Sequence, residues 1–336
     1  MRTIAWIEKD GGAISLLDQR LLPQQASEMV VTDYKSLILA IKELAVRGAP
    51  ALGVAGALGV ALIARTAERD SWSADRRDKA IAELRAARPT AVNLAWGVDQ
   101  VLPLIERGSS DVLHRALEIA IDDAKANREM GRRGADFLLA KTGKKQLRVL
   151  THCNTGALAT TEWGTAFGVI RELHQRGAII EVFADETRPL LQGSRLTAWE
   201  LSEAKIPYRI LPDGAAASAL FSGQIDAVLI GADRIARNGD SANKIGSLGV
   251  AVAAAAVDVP FLVVAPESTV DRTLATGQEI EIEFRADSEV THVAGREVAP
   301  HGSRTYNPAF DVTPVRYITA VVTEANVYEV GKGVSL

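Results

Sequence analysis

The chain has 336 residues, of which 47% are hydrophobic, 5% aromatic and 24% charged, enough apolar material for two domains or for one large α/β unit with an extension. A formal net charge of −4 supplies no general attraction to nucleic acid or to an anionic membrane. A single cysteine, Cys153, excludes a disulfide within the chain and gives no sign of an oxidising compartment.

The opening, MRTIAWIEKDGG, holds no apolar stretch of signal-peptide length. Short apolar runs at residues 3–7 and 13–17 flank Asp10-Gly11-Gly12 and predict a β-hairpin. From Asp33 to about Thr142 the pattern is helical. Asp33 can cap a helix over residues 34–46, Gly48 breaks it, and Pro50 suits the first turn of the next. Gly53, Gly56 and Gly59 put small residues on one face of that helix, where another backbone can approach. Residues 49–64 are nearly uncharged, but the run is short and glycine-rich and reads as a buried helix rather than a membrane span. Residues 109–140 read as one or two long helices with a solvated, charged face. A mostly helical N-terminal domain over residues 1–142, opening on the hairpin, is expected, in a soluble, cytoplasmic protein.

After Gly143 the texture changes. Apolar β-rich runs at 147–151, 179–184, 208–211, 227–230, 261–264 and 317–322 alternate with helical stretches. That alternation is the signature of a mainly parallel sheet with right-handed crossovers. The fold class is therefore α/β, with the smaller N-terminal domain followed by a parallel-sheet domain over residues 143–336. Residues 279–303 carry many charges and read as a surface excursion before the last strand.

Polar residues collect where these runs end. His152, Cys153 and Asn154 follow the first; Asp185, Glu186 and the loop to Gln192 follow the second; Asp213 follows the third and Asp233 the fourth. The carboxyl edge of an open parallel sheet is where ligands bind. Cys153 reads as sitting at a strand–turn–helix junction, where helix-opening N–H groups favour an anion. A lone cysteine is commonly an inert core residue; the polar groups at the other strand ends favour the functional reading. Asp213 reads first as a helix cap.

Residues 237–244, ArgAsnGlyAspSerAlaAsnLys, lead through Gly246 to an apolar helix. A glycine-bearing turn before a helix start, with Asn243 and Lys244, suits a phosphate. It is not a Walker motif, and no GxGxxG run follows a strand. Arg47-Gly48-Ala49-Pro50 is a second anion candidate, with a C-terminal helix cap as its plain alternative. Arg88 is a third. His114, His152, His174, His292 and His301 show no metal-ligand spacing, and zinc lacks a second cysteine. His152 points away from Cys153 if the strand continues, so no Cys–His pair is expected, and there is no nucleophile-elbow motif.

These segments together resemble the 5-methylthioribose-1-phosphate isomerase family of methionine salvage. The likeness rests on ArgGlyAlaProAlaLeuGly at 47–53, ArgProThrAlaValAsnLeu at 88–94 and ThrHisCysAsnThrGlyAlaLeuAla at 151–159. It continues in AlaAspGluThrArgProLeuLeuGlnGlySerArgLeuThrAlaTrpGlu at 184–200, GlyAlaAspArgIleAlaArgAsnGlyAsp at 231–240, AsnLysIleGly at 243–246 and TyrAsnProAlaPheAspValThrPro at 306–314. The resemblance implies a two-domain subunit with a Rossmann-like C-terminal domain, a homodimer, and no metal or organic cofactor. It implies Cys153 and Asp233 as the catalytic pair, with Arg47, Gly48, Ala49, Arg88, Gln192, Asn243 and Lys244 holding a phosphorylated pentose. The implied reaction is the aldose–ketose conversion of 5-methylthioribose 1-phosphate to 5-methylthioribulose 1-phosphate. The same superfamily holds isomerases of 5-deoxyribose 1-phosphate and ribose 1,5-bisphosphate. It also holds non-enzymatic regulatory subunits of the eukaryotic initiation-factor exchange complex. Cys153, Asp233 and the Asn243–Lys244 pair favour an enzyme.

Overall fold

The computed structural model describes residues 2–9, 11–89, 92–334 and 336. Asp10 of the first turn signal, and Thr90 and Ala91 of the Arg88 segment, lie outside the described residues. The chain divides into two compact units, one of Met1–Arg128 with Thr155–Gly164, the other of Glu129–Asn154 with Thr165–Leu336.

In the first unit β1 (Ile4–Ile7) and β2 (Ala13–Leu17) pair antiparallel, and β3 (Glu28–Val31) adds to β2. Helix α1 (Tyr34–Lys42) is capped as expected: the Asp33 carboxylate accepts from the N–H groups of Lys35 and Ser36, each at 3.0 Å, a contact worth about 1 kcal/mol. It ends before residue 46, because Leu44 takes a left-handed φ of 63°. Gly48 then opens α2 (Ala49–Arg69), with Pro50 in its first turn. Helices α3 (Ala74–Arg85) and α4 (Val92–Val101) follow. The small-residue face of α2 receives α4: a Cβ on Gly56 would sit 2.5 Å from the Leu94 oxygen. By length and composition α2 could cross a membrane, yet 78% of its apolar window is buried inside the protein. Residues 109–140 form one helix, α5 (Ser109–Thr142), which begins in the first unit and ends in the second.

The second unit carries, in chain order, β4 (Leu147–Thr151), α6 (Ala166–Gln175), β5 (Ile179–Asp185), α7 (Ala198–Glu203), β6 (Tyr208–Leu211), α8 (Ala215–Phe221), β7 (Ala227–Ile230), β8 (Arg234–Ala236), β9 (Ser241–Lys244) and α9 (Ser247–Ala256). There follow β10 (Phe261–Val264), β11 (Val270–Asp271), α10 (Ser288–Thr291), β12 (His292–Val293), β13 (Arg296–Glu297), β14 (Phe310–Thr313), β15 (Ala320–Val322) and β16 (Val327–Tyr328). Among the described residues the main sheet runs β16-β15-β10-β7-β4-β5-β6, parallel throughout except for β16.

Period-two alternation fills both faces of this sheet. Val149, Ala227 and Leu229 join one core with Phe167 and Ile170 of α6, while Leu150, Val228 and Ile230 join the other with Val250 and Ala254 of α9. The chain leaves β4 to build β5 and β6 on one side, then returns to build β7 and β10 on the other. The strand order therefore reverses between β4 and β7, which opens a crevice at their carboxyl ends.

Three expectations are corrected. No helix follows Cys153 at once: α6 begins at Ala166, and Thr155–Gly164 belongs to the first unit. Residues 234–244 are no simple loop; β8 and β9 form an antiparallel hairpin inside a second sheet ordered β11-β8-β9-β14. The last parallel strand is shorter than expected, because Val315–Tyr317 makes a 3-10 turn before β15.

Candidate active site

Register brings the expected strand ends level. Thr151 of β4 lies opposite Leu229 of β7 on one side and Ala184 of β5 on the other. Cys153 and Asp233 thus leave neighbouring strands at the same edge, at the order reversal.

Cys153 is half-buried and takes φ 68°, a left-handed conformation that costs a side-chain-bearing residue about 1–2 kcal/mol. Its N–H donates to Thr187 Oγ1 at 2.9 Å, and its carbonyl accepts from Thr197 Oγ1 at 2.6 Å. Gln192 is fully buried and donates from Nε2 to Cys153 Sγ at 3.3 Å. The loop that brings Gln192 here passes so close to β5 that a Cβ on Gly193 would lie 1.6 Å from the Asp185 oxygen. Asp213 fixes the start of this loop by accepting from the N–H groups of Thr187 and Arg188 at 2.7 and 2.6 Å. It does not cap α8, whose N-cap is Gly214.

Both ring nitrogens of His152 have partners other than the thiol. Its Nδ1 lies 2.8 Å from Asp185 Oδ2 and its Nε2 2.9 Å from the Ile245 carbonyl. A carbonyl only accepts, so Nε2 carries a hydrogen. Burial pulls the imidazolium down, but the Asp185 hydrogen bond and charge, with the Ile245 carbonyl, outweigh it and set the His152 pKa above its ordinary 6.5. Burial likewise pushes the Asp185 carboxyl up, against the pull of His152. The donor atoms of His152, Asp185 and Asp213 lie within 4.8 Å of one another, a grouping that ligand spacing in the sequence misses. Apart from Asp185 Oδ1, which is buried without a hydrogen bond, those atoms are engaged in the bonds just described.

Asp233 is half-buried, and its N–H donates to the Ala242 carbonyl at 2.9 Å. Asn243 and Lys244 lie buried on β9, beside it. Asn243 Nδ2 donates to Ser247 Oγ at 2.8 Å; Lys244 Nζ donates to the Ala309 carbonyl at 2.7 Å and sits 4.7 Å from the Phe310 ring centre. Two of the helix-opening N–H groups that the sequence offered to a phosphate are taken. Gly246 N and Leu248 N donate to the Asp311 carboxylate at 2.8 and 3.1 Å. Asp240, another carboxylate of this hairpin, accepts from Asn238 Nδ2 and from the N–H groups of Gly277 and Val315.

Arg47, Gly48, Ala49 and Arg88 belong to the first unit. Gly48 has φ 94°, and a Cβ there would sit 2.3 Å from the Ala159 oxygen, so only glycine fits this start of α2. Arg47 and Arg88 are half-buried. In the second unit the fold joins Cys153 with Gln192, and Asp233 with Asn243 and Lys244. Sequence reasoning missed Thr187 and Thr197, whose hydroxyls hold Cys153, and the His152–Asp185 pair.

A thiol and a carboxylate follow adjacent parallel strands of this α/β fold, with a buried amide on the sulfur. The chain belongs to the Initiation factor 2 subunit family, whose profile matches residues 45–329. It is 51% identical over 319 residues to a probable bifunctional methylthioribose-1-phosphate isomerase/methylthioribulose-1-phosphate dehydratase of Nocardia farcinica, a match covering 95% of this chain and 58% of that longer relative. It resembles the crystal structure of 5-methylthioribose 1-phosphate isomerase from Pyrococcus horikoshii OT3, with a TM-score of 0.88 and 40% identity over 98% of this chain and 92% of that one. A structure from A. fulgidus titled translation initiation factor eIF-2B, subunit delta, matches with a TM-score of 0.84 and 40% identity, covering 98% and 96%.

Proposed function

We propose that the protein is an aldose–ketose isomerase converting 5-methylthioribose 1-phosphate to 5-methylthioribulose 1-phosphate in methionine salvage. The observation that carries this reading is the placement of Cys153 and Asp233 after the neighbouring strands β4 and β7, with Gln192 on the sulfur. The names of the relatives from Nocardia and Pyrococcus support the substrate.

The chemistry follows from the substrate. With C1 esterified to phosphate, the ring cannot open as a free hemiacetal does. Asp233 donates a proton to the ring oxygen, the C1–O bond breaks, hydrogen passes from C2 to C1, and the C2 hydroxyl loses its proton to become the ketone. Two routes fit. In one, Cys153 takes the C2 hydrogen as a base and an enediol intervenes; in the other, Cys153 stabilises a cation while hydride shifts. Turnover in heavy water separates them, since the first route carries solvent deuterium to C1. Gln192, Asn243 and Lys244 are proposed as phosphosugar ligands, as are Arg47, Gly48, Ala49 and Arg88 on the strength of the resemblance. The buried and unpartnered Gln192 Oε1 supports its part, because it suits a sugar hydroxyl. No metal or organic cofactor is required by these steps, and a cytoplasmic homodimer is the proposed form.

A panel of methylthioribose, 5-deoxyribose and ribose 1-phosphates tests the substrate. The methylthio compound should give the highest kcat/KM, with the 5-deoxy compound closer behind, since apolar pockets separate such tails by only about 1–3 kcal/mol per methylene-sized change. Preference for a 1,5-bisphosphate would reassign it. The alternative is a non-enzymatic regulatory subunit of a guanine-nucleotide exchange complex, and absence of turnover on every member of the panel would support that instead.

A further inference from the structure

We propose that the segment over residues 187–197, a loop that closes in a π-helical turn (Gly193–Thr197), is a three-point clamp on Cys153, in which Thr187 and Thr197 position the main chain and Gln192 the sulfur. The proposal rests on the reading of Cys153 as a reacting group. A left-handed residue bearing a side chain persists only where its surroundings over-determine it. At Cys153 the peptide groups have left the sheet ladder, and an unpaired buried N–H or carbonyl is costly. Two hydroxyls from the two ends of this segment take both groups, at 2.9 and 2.6 Å.

Each hydroxyl is itself oriented. Thr187 Oγ1 donates to the Asp185 carbonyl at 3.1 Å, which turns a lone pair toward the Cys153 N–H. Thr197 Oγ1 lies 3.3 Å from Asn154 Nδ2, which donates to it and also, at 2.9 Å, to Glu200 Oε1, so the Thr197 hydrogen is left for the Cys153 carbonyl. Thr187, Thr197, Asn154 and Glu200 are all buried. The third point goes beyond what the fold needs. The Gln192 amide donates to Sγ and fixes where the sulfur points. This role for Gln192 is distinct from contact with substrate through Oε1.

Because Cys153 is the chain's one cysteine, alkylation by iodoacetamide reads this sulfur without any substrate: sulfur displaces iodide from carbon and the thiol proton passes to water. Gln192→Glu keeps the shape and replaces the donor with an acceptor. Its alkylation rate at neutral pH should fall about tenfold or more, because a carboxylate in place of the amide donor releases the sulfur and repels the thiolate that attacks the reagent. Thr197→Val and Thr187→Val should lower kcat while leaving KM within a few-fold, and Thr197→Ser, which keeps the hydroxyl, should restore kcat. Unchanged alkylation in Gln192→Glu, or unchanged kcat in both valine variants, would overturn the clamp. If circular dichroism shows a valine variant unfolded, the Gln192→Glu rate and the serine variant decide. Normal alkylation of the unaltered protein without turnover of methylthioribose 1-phosphate would count against the proposed activity and leave the clamp standing.

Discussion

His152 and Asp185 face one another at 2.8 Å, each 1% exposed, where β4 and β5 end and Cys153 follows. Since His152 Nε2 must donate to the Ile245 carbonyl, the second nitrogen and the carboxylate share one more proton between them. The pair ties β4 to β5, and through Ile245 to the end of β9, where Asn243 and Lys244 lie.

This pair gives stability a pH dependence. The folded pKa of His152 lies above 6.5, so its contribution is fully present below that value and is lost as pH rises through the folded pKa. Over that window the native state holds a proton that the unfolded chain has released, and the slope of stability against pH is negative. Urea unfolding midpoints between about pH 6 and about pH 9 should fall, and His152→Gln should flatten the curve. A midpoint that climbs across this range in the unaltered protein, with the same slope in the variant, would remove the pair as its cause.

Cys153→Ser should fold normally and lose most activity, by more than about 10²-fold in kcat. The exchange is nearly isosteric, and serine offers the same N–H and carbonyl to Thr187 and Thr197. What it loses is the polarizable sulfur. Steady-state kinetics beside a thermal melt check this; near-normal kcat would take the sulfur out of the reaction.

Lys244→Ala should raise KM by about tenfold or more, as expected for a charge-assisted contact with the phosphate. It should also lower the melting temperature, because the ammonium donates to the Ala309 carbonyl and packs on Phe310. The KM change is the sensitive part. A variant that melts earlier but keeps its KM would leave Lys244 as a purely structural residue.

Asp233→Asn should cost about 10²–10⁴-fold in kcat, the usual loss on removing a positioned general acid. If Asp233 served only to order the start of the β8–β9 hairpin, where its own N–H already donates to Ala242, asparagine would do as well and kinetics would not move. The two readings separate in a single kcat measurement.

The strands β7 and β10 were legible because burial on both faces writes them as unbroken apolar runs, and β4 and β6, which carry Arg148 and Arg209, also fall on the residues the sequence marked. The polar groups at their ends were legible for the complementary reason, since a sheet does not need them. The β8–β9 hairpin was hidden because its buried residues Ser241, Asn243 and Lys244 are polar and carry no apolar period. The departure after Cys153 was hidden as well. Residues 155–164 look helical locally, but the Ala159 backbone packs against Gly48, more than a hundred positions away. Thr187 and Thr197 gave no signal, as threonine in a loop is ordinary until its hydroxyl is seen to meet a strained residue.

The most direct measurement follows purified protein and 5-methylthioribose 1-phosphate labelled with carbon-13 at C1 and C2 by NMR. Isomerisation should convert the anomeric carbon to a phosphorylated CH2 and produce a ketone resonance at C2, with phosphate still esterified at C1. An anomeric signal that persists unchanged at substrate and protein concentrations where the label is bound, or a loss of phosphate in place of a ketone, would contradict the proposed reaction.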